Sequence, residues 1–194
     1  FISDMVTKLP EYEKLFKDTA DKYNLDWKLL AAISYQESKW NNDSVSPTGV
    51  KGLMMLTEKT ADMLNVNRTN VNESIDGGAR YIIYLSNRFS NFKNETKLNL
   101  ALAAYNVGPG HIDDIITLAN NDNVNINEWK NLKIYLLKLN KKEFYKKMKY
   151  GYARGWEAVQ YVENIKQYYD ILSFLEDKDD QIKNNIIYEV PKTI

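Results

Sequence analysis

The chain has 194 residues, 44% hydrophobic and 27% charged, with Lys+Arg and Asp+Glu both at 26. This suits one globular domain with a sizeable core, and zero net charge excludes the basic footprint of a general nucleic-acid binder. No cysteine and one histidine, His111, exclude a disulfide framework, a thiolate metal site and a His-rich zinc site.

Almost every segment reads as helix. Phe1 to Met5 has no basic region or cleavage site, so it is not a signal peptide. The missing initiator Met is expected of a processed chain or an excised fragment. Pro10 opens a helix whose apolar stripe is Leu15, Phe16 and Tyr23. Asp26 caps a helix from Trp27 to about Trp40. Asn41 to Lys51 is turn-rich, with Ser-Pro and Thr-Gly pairs. Thr57 caps a short helix through Leu64, and Asn65 to Asn72 is a polar connection. Ser74 is the expected cap of a helix from Ile75 to about Phe89. Its Gly77-Gly78 pair marks either a loose first turn or a close helix–helix approach.

Lys97 to Asn106 is an apolar helix that Gly108-Pro109-Gly110 brings to an end. Helices follow over His111 to about Ala119 and Glu128 to Leu139. Lys141 to Gly155 mixes basic residues with Phe144, Tyr145, Tyr150 and Tyr152. The lysine-rich run from Lys138 to Lys149 reads as a solvated face that would attract an anionic polymer. The longest helix spans Trp156 to about Glu176, where an acidic run ends the domain. Residues 1–178 are thus expected as one all-α domain, and 179–194 as a C-terminal tail, docked or disordered. No apolar run approaches the ~18 residues of a membrane span.

The chemistry concentrates at Glu37. Leu30, Ile33 and Glu37 fall at i, i+3 and i+7, on a face that would otherwise be core. A carboxylate there loses water and its pKa rises, as a general acid requires. The plainer alternative is a glutamate at a helix end whose head reaches solvent. Glycosidic cleavage commonly uses two carboxylates ~5 to 9.5 Å apart. The second candidate, Asp43, reads better as a turn residue bonding its own backbone. With no phosphate loop and no metal motif, no cofactor and no metal are expected.

Three blocks now carry a resemblance. They are Glu37-Ser38-x-Trp40-Asn41, then Ser46-x-x-Gly49-x-x-Gly52-Leu53-Met54, then Ala104-Tyr105-Asn106-x-Gly108. In this order and spacing they resemble the lytic transglycosylase domain related to goose-type lysozyme. Met54-Met55-Leu56-Thr57, the Tyr150 to Gly155 run and Tyr161-Val162-Glu163-Asn164-Ile165 are similar to its membrane-bound F branch. The resemblance covers residues 9 to 176. It implies a lysozyme-like fold with a groove around one catalytic glutamate, acting on peptidoglycan glycan strands. It implies Glu37 as the acid and base, and Ser46, Tyr105 and Asn106 near the carboxylate and sugar. Met54, Tyr161 and Glu157 would line the groove. Met55 stands where many relatives have Gln, which removes an amide that could hold an N-acetyl group. The implied reaction is non-hydrolytic cleavage to a 1,6-anhydro end. A hydrolytic muramidase and a non-catalytic peptidoglycan-binding module stay open as alternatives. The resemblance also implies an N-terminal solute-binding-like domain in the full-length protein. The implied location is the periplasm of the cell envelope, associated with the outer membrane.

Overall fold

The computed structural model describes the backbone of residues 1–189 and the side chains of residues 1–178. Among the described residues it is built from helices: α1 (Ile2–Thr7), α2 (Leu9–Tyr23), α3 (Trp27–Ser38), α4 (Glu58–Leu64), α5 (Val71–Arg88), α6 (Asn94–Val107), α7 (Pro109–Asn121), α8 (Trp129–Lys138), α9 (Lys142–Tyr145) and α10 (Gly155–Glu189). The extended pairings are two isolated bridges, Val45 with Lys51 and Lys51 with Leu56.

Two helices form the centre. In α3, Leu30 to Tyr35 are all buried, and in α6 the run Leu100 to Ala104 is closed to solvent. A helix apolar on every side must be surrounded. Accordingly α3 packs against α2, α5 and α10, while α6 packs against α5, α7, α8 and α10. The outer helices are amphipathic: α2 buries Leu9, Tyr12, Phe16 and Ala20 while its lysines reach water.

Local signals set most boundaries. The Asp26 carboxylate accepts from Lys28 N at 2.9 Å, and Thr57 accepts from Thr60 N at 3.1 Å. Helix α3 stops at Ser38 because Lys39 and Trp40 both turn left-handed, at φ 56° and 52°. The turn brings Trp40 beneath its own helix, where its buried indole N–H donates to Ala31 O at 2.9 Å.

Four expectations need correction. A first helix, α1, precedes the one that Pro10 opens. Helix α5 is capped by Asn70, which accepts from Glu73 N; Ser74 lies inside it, buried, its hydroxyl committed elsewhere. Pro109 does more than end α6: it enters the first turn of α7, where its missing N–H costs nothing. Finally, α10 passes through the acidic run to Glu189, because consecutive acidic residues do not in themselves break a helix. Residues 190–194, the end of the expected tail, lie outside the described residues.

Between α3 and α4 the chain is irregular yet buried. Gly52 to Met54 and Leu56 are closed to solvent. Gly52 has φ +86°, and a Cβ there would stand 1.8 Å from Arg68 O. Backbone sterics and space therefore both demand glycine. Gly52→Ala is expected to lower stability by ~3 kcal/mol or more. Gly49→Ala, at φ +80° in open space, should cost only ~1–2 kcal/mol. Denaturant titration of both variants checks the contrast.

Candidate active site

The site begins with the buried segment. Backbone groups withdrawn from water must find partners, and here side-chain hydroxyls supply them. Leu53 O accepts from Ser38 Oγ at 2.8 Å and Ser34 Oγ at 3.2 Å, both on α3. Met54 N donates to Ser74 Oγ on α5 at 3.1 Å. Met54 O accepts from Tyr105 OH on α6 at 2.9 Å. Three helices are thus tied to two consecutive residues, one turn from Glu37.

Glu37 lies in the last turn of α3, half-buried. Tyr161 OH, from α10, donates to its Oε1 at 2.6 Å. The register that delivers Tyr161 is held along the α3–α10 contact. Asn164 Nδ2 donates to Gln36 Oε1 at 3.1 Å, Tyr169 OH to Asp26 Oδ2 at 2.7 Å, and Lys28 and Trp27 both reach Glu176. Burial pushes the Glu37 carboxyl up to about 7, against the Tyr161 hydrogen bond and the Lys39 ammonium, which pull it down. Removal of solvent wins. No carboxylate among the described residues acts on it.

Around the carboxylate stands a row of tyrosines. The Tyr105 and Tyr161 rings are 6.4 Å apart and nearly parallel, and Tyr81 meets Tyr105 edge-on at 5.1 Å. Burial first, then the Glu37 charge, keeps both Tyr105 and Tyr161 well above the usual phenol pKa, so both remain hydroxyls. A cavity of about 290 Å³ opens beside Tyr105, lined by Met55, Thr57, Thr60, Tyr81 and Asn106 among others.

The structure thus brings Glu37, Tyr161 and Tyr105 together, with Met55 and Asn106 on the cavity beside Tyr105, and the other three predicted residues make contacts of their own. Met54 does not line the groove: its side chain is fully buried against Gly78, where a Cβ would meet Met54 Cε at 2.5 Å. Only its backbone serves the site. Ser46 Oγ is engaged within its own turn, accepting from Val50 N at 3.0 Å and lying 3.0 Å from Thr48 Oγ1. Glu157 Oε1 accepts from Arg154 Nη1 at 2.8 Å, one helical turn before Tyr161. Asp43 is exposed, and its charge acts on Tyr12. Tyr105 lies near the carboxylate, as expected, close enough to feel its charge, but its hydroxyl donates to Met54 O, and Tyr161 supplies the hydrogen bond to Glu37. Sequence reasoning missed Tyr81, Gln36 and the Ser34 and Ser74 staples. Tyr81 had a signal: it lies three and four residues after Gly78 and Gly77, on the face of closest approach.

Two outcomes follow for the carboxylate. Because its folded pKa lies above its unfolded one, Glu37 contributes stability at low pH that is lost as pH rises from about 4.5 through about 7. Glu37→Gln should therefore be more stable than the wild type at pH 8, on the order of 2 kcal/mol, with the gap closing below the unfolded pKa. Thermal melts across pH measure this. Tyr161→Phe removes a donor to the anion, so the carboxyl should titrate at still higher pH when followed by carbon NMR.

Comparison with known proteins gives the family and the fold. The profile of the Transglycosylase SLT domain matches residues 14–129. The chain is 46% identical over 177 residues to membrane-bound lytic murein transglycosylase F of Pseudomonas fluorescens, covering 90% of this chain and 36% of that protein. The protein of the same name from Hahella chejuensis is 48% identical, with 90% and 35% covered. The chain thus spans about a third of the length of these relatives. Two solved structures share the fold. An inactive mutant of lytic transglycosylase Slt from Pseudomonas aeruginosa has a TM-score of 0.61 at 21% identity, over 84% of this chain and 24% of that one. The 70 kDa soluble lytic transglycosylase from Escherichia coli has 0.58 at 23% identity, over 81% and 23%. The fold is therefore the all-α, lysozyme-like one of these enzymes, and the chain belongs to the transglycosylase SLT domain family.

Proposed function

We propose that this domain is a peptidoglycan lytic transglycosylase, cleaving the β-1,4 bond between N-acetylmuramic acid and N-acetylglucosamine without water. The observation that carries the reading is a single carboxyl, Glu37, held near neutrality by burial and oriented by the Tyr161 hydroxyl at 2.6 Å. Such a group is an acid at the start of the cycle and a base after giving up its proton.

In the proposed cycle Glu37 protonates the glycosidic oxygen as the C1–O bond breaks. The carboxylate so formed takes the proton of the muramic acid C6 hydroxyl. That oxygen bonds to C1, closing the 1,6-anhydro ring and restoring the acid. The nucleophile belongs to the substrate, so its effective concentration is high and no water need be activated. The substrate's N-acetyl oxygen is placed to stabilise the cationic intermediate. Met55 and Asn106 hold the sugar in the cavity beside Tyr105, and Tyr161 steadies the carboxyl through both protonation states. Ser46 and Glu157 act further out, at the edges of the groove.

A hydrolase reading would need a second carboxylate to activate water, and Asp43 is exposed and does not act on Glu37. A purely binding role would be served by an ionised Glu37 in a salt bridge. Burial opposes that ionisation, and no ion pair holds Glu37 among the described residues. The catalytic unit is read as residues 1–178, whose apolar core extends to Leu172, with 179–194 as its tail. Since the chain matches about a third of its relatives' length, the full-length protein is proposed to carry a further, solute-binding-like domain. The relatives are named membrane-bound, so a periplasmic, envelope-associated location is proposed. Among the described residues no helix is long and apolar enough to cross a membrane.

Mass spectrometry of the muropeptides released from purified peptidoglycan tests the reaction. Products one water lighter than reducing muropeptides are expected, with Glu37→Gln reducing turnover roughly a thousandfold. Activity should fall as pH rises through about 7, as the acid form is lost. Reducing products would establish a hydrolase instead.

A further inference from the structure

We propose that the segment from Lys138 to Glu157 is a cationic rim of the groove that binds the carboxylate-bearing peptide stems of the glycan strand. This rests on the reading that such a strand occupies the groove, and adds to it what the strand must carry.

The charge is local. Residues 138–154 hold six lysines and Arg154 against Glu143 alone, in a chain of zero net charge. Elsewhere many cations are paired, Lys22 and Arg80 with Asp76, Lys28 with Glu176, Arg88 with Asp113. The exposed lysines there without an ion pair among the described residues, such as Lys51, Lys59 and Lys93, are not gathered in one run. Within the segment Lys138 reaches Asp122 and Arg154 reaches Glu157. Lys141, Lys142, Lys146, Lys147 and Lys149 are exposed and have no ion-pair partner among the described residues. A solvated helix face would offer the same charges, but this segment is no such face. Only Lys142–Tyr145 is helical between α8 and α10.

The segment is also held in shape. The buried Asp114 carboxylate accepts from Lys149 N at 3.1 Å and Tyr150 N at 2.9 Å. Ala153 N donates to Leu139 O at 3.3 Å. The Tyr150 ring packs so closely on Gly110 that a Cβ there would come within 2.5 Å. Tyr145 and Tyr152 meet edge-on at 5.6 Å. A buried carboxylate receiving two amide N–H groups is a firm tether, so the lysines project from a fixed frame.

Both ends of that frame meet the catalytic groove. Tyr150 lies against Gly110 and 6.2 Å from His111, in the first turn of α7. The chain just before that turn, Asn106 to Gly108, lines the cavity beside Tyr105. At the other end Glu157 precedes Tyr161, the partner of Glu37, by one helical turn. Tyr150, Tyr152 and Trp156 are 47%, 54% and 53% exposed between and beside the cations.

The chemistry fits a stem-bearing strand. Each peptide stem carries free carboxylates, so the strand presents anions at regular intervals along a polar, partly apolar polymer. Lysine is a point charge on a flexible stem, suited to carboxylates whose orientation varies. Exposed aromatic rings give such a ligand apolar contact area at low entropic cost. An anionic lipid surface would also attract the lysines. The stems are favoured because the rim joins the groove at both ends, so a strand seated there passes along it.

Binding separates the rim from the reaction. Glu37→Gln is sedimented with purified sacculi, either intact or stripped of stems by an amidase, with and without Lys141→Ala, Lys142→Ala, Lys146→Ala and Lys147→Ala combined. The expected result is tighter binding to intact than to stripped sacculi. The lysine changes should weaken binding to intact sacculi roughly fivefold or more and bring the two substrates toward parity, and high salt should do the same. An unchanged melting temperature would exclude a folding defect. Equal loss on intact and stripped sacculi, or no loss, would overturn the proposal. So would lysine-dependent binding to phosphatidylglycerol vesicles with sacculus binding retained, which would assign the rim to a membrane surface. Stem-dependent binding without anhydro products from the wild type would overturn the proposed reaction and leave the rim standing.

Discussion

The structure depends on how one buried, irregular stretch satisfies its backbone. Gly52 to Leu56 runs through the centre of a helical protein and has no ladder to pair with. Four hydroxyls meet it instead: Ser34 and Ser38 on Leu53 O, Ser74 on Met54 N, Tyr105 on Met54 O. An unmet buried group costs about 1–3 kcal/mol, so each hydroxyl matters to stability. Together they tie α3, α5 and α6 to two residues. The same ties set where the last turn of α3 stands, and therefore where Glu37 points.

Glu37 is the reverse case, a polar group placed where its charge is poorly met. One hydroxyl donates to it and one ammonium lies near, and neither offsets the lost water. That conflict between stability and chemistry is expected where a site works by its protonation state. Tyr161 answers part of it without removing it. Its own proton is held by burial and by the neighbouring charge, so it stays a donor through the pH range in which Glu37 titrates.

Helix α10 links the two surfaces of the groove. Its first turn carries Glu157 and continues the cationic segment, its second carries Tyr161, and the remainder is fastened antiparallel to α3 through Asn164, Tyr169 and Glu176. The Glu37 carboxyl and the lysine-rich segment are therefore both tied to one element.

Much of this was legible in the chain. Asp26 and Thr57 mark helix starts because capping acts within a few residues, and Pro109 and Gly110 mark a junction for the same reason. Glu37 stands out because a carboxylate on an apolar helical face is a local contradiction. The three motif blocks add the family. What the sequence did not decide is which hydroxyl goes where. Ser74 reads as a cap and is a staple on Met54 N; Met54 reads as a groove residue and is core; Tyr161 reads as a groove residue and, 124 residues away along the chain, is the hydrogen-bond partner of Glu37. Helix periodicity and caps are short-range and are written in neighbouring residues. A hydrogen bond between distant side chains depends on the register of packed helices, and that register exists only once the core has closed.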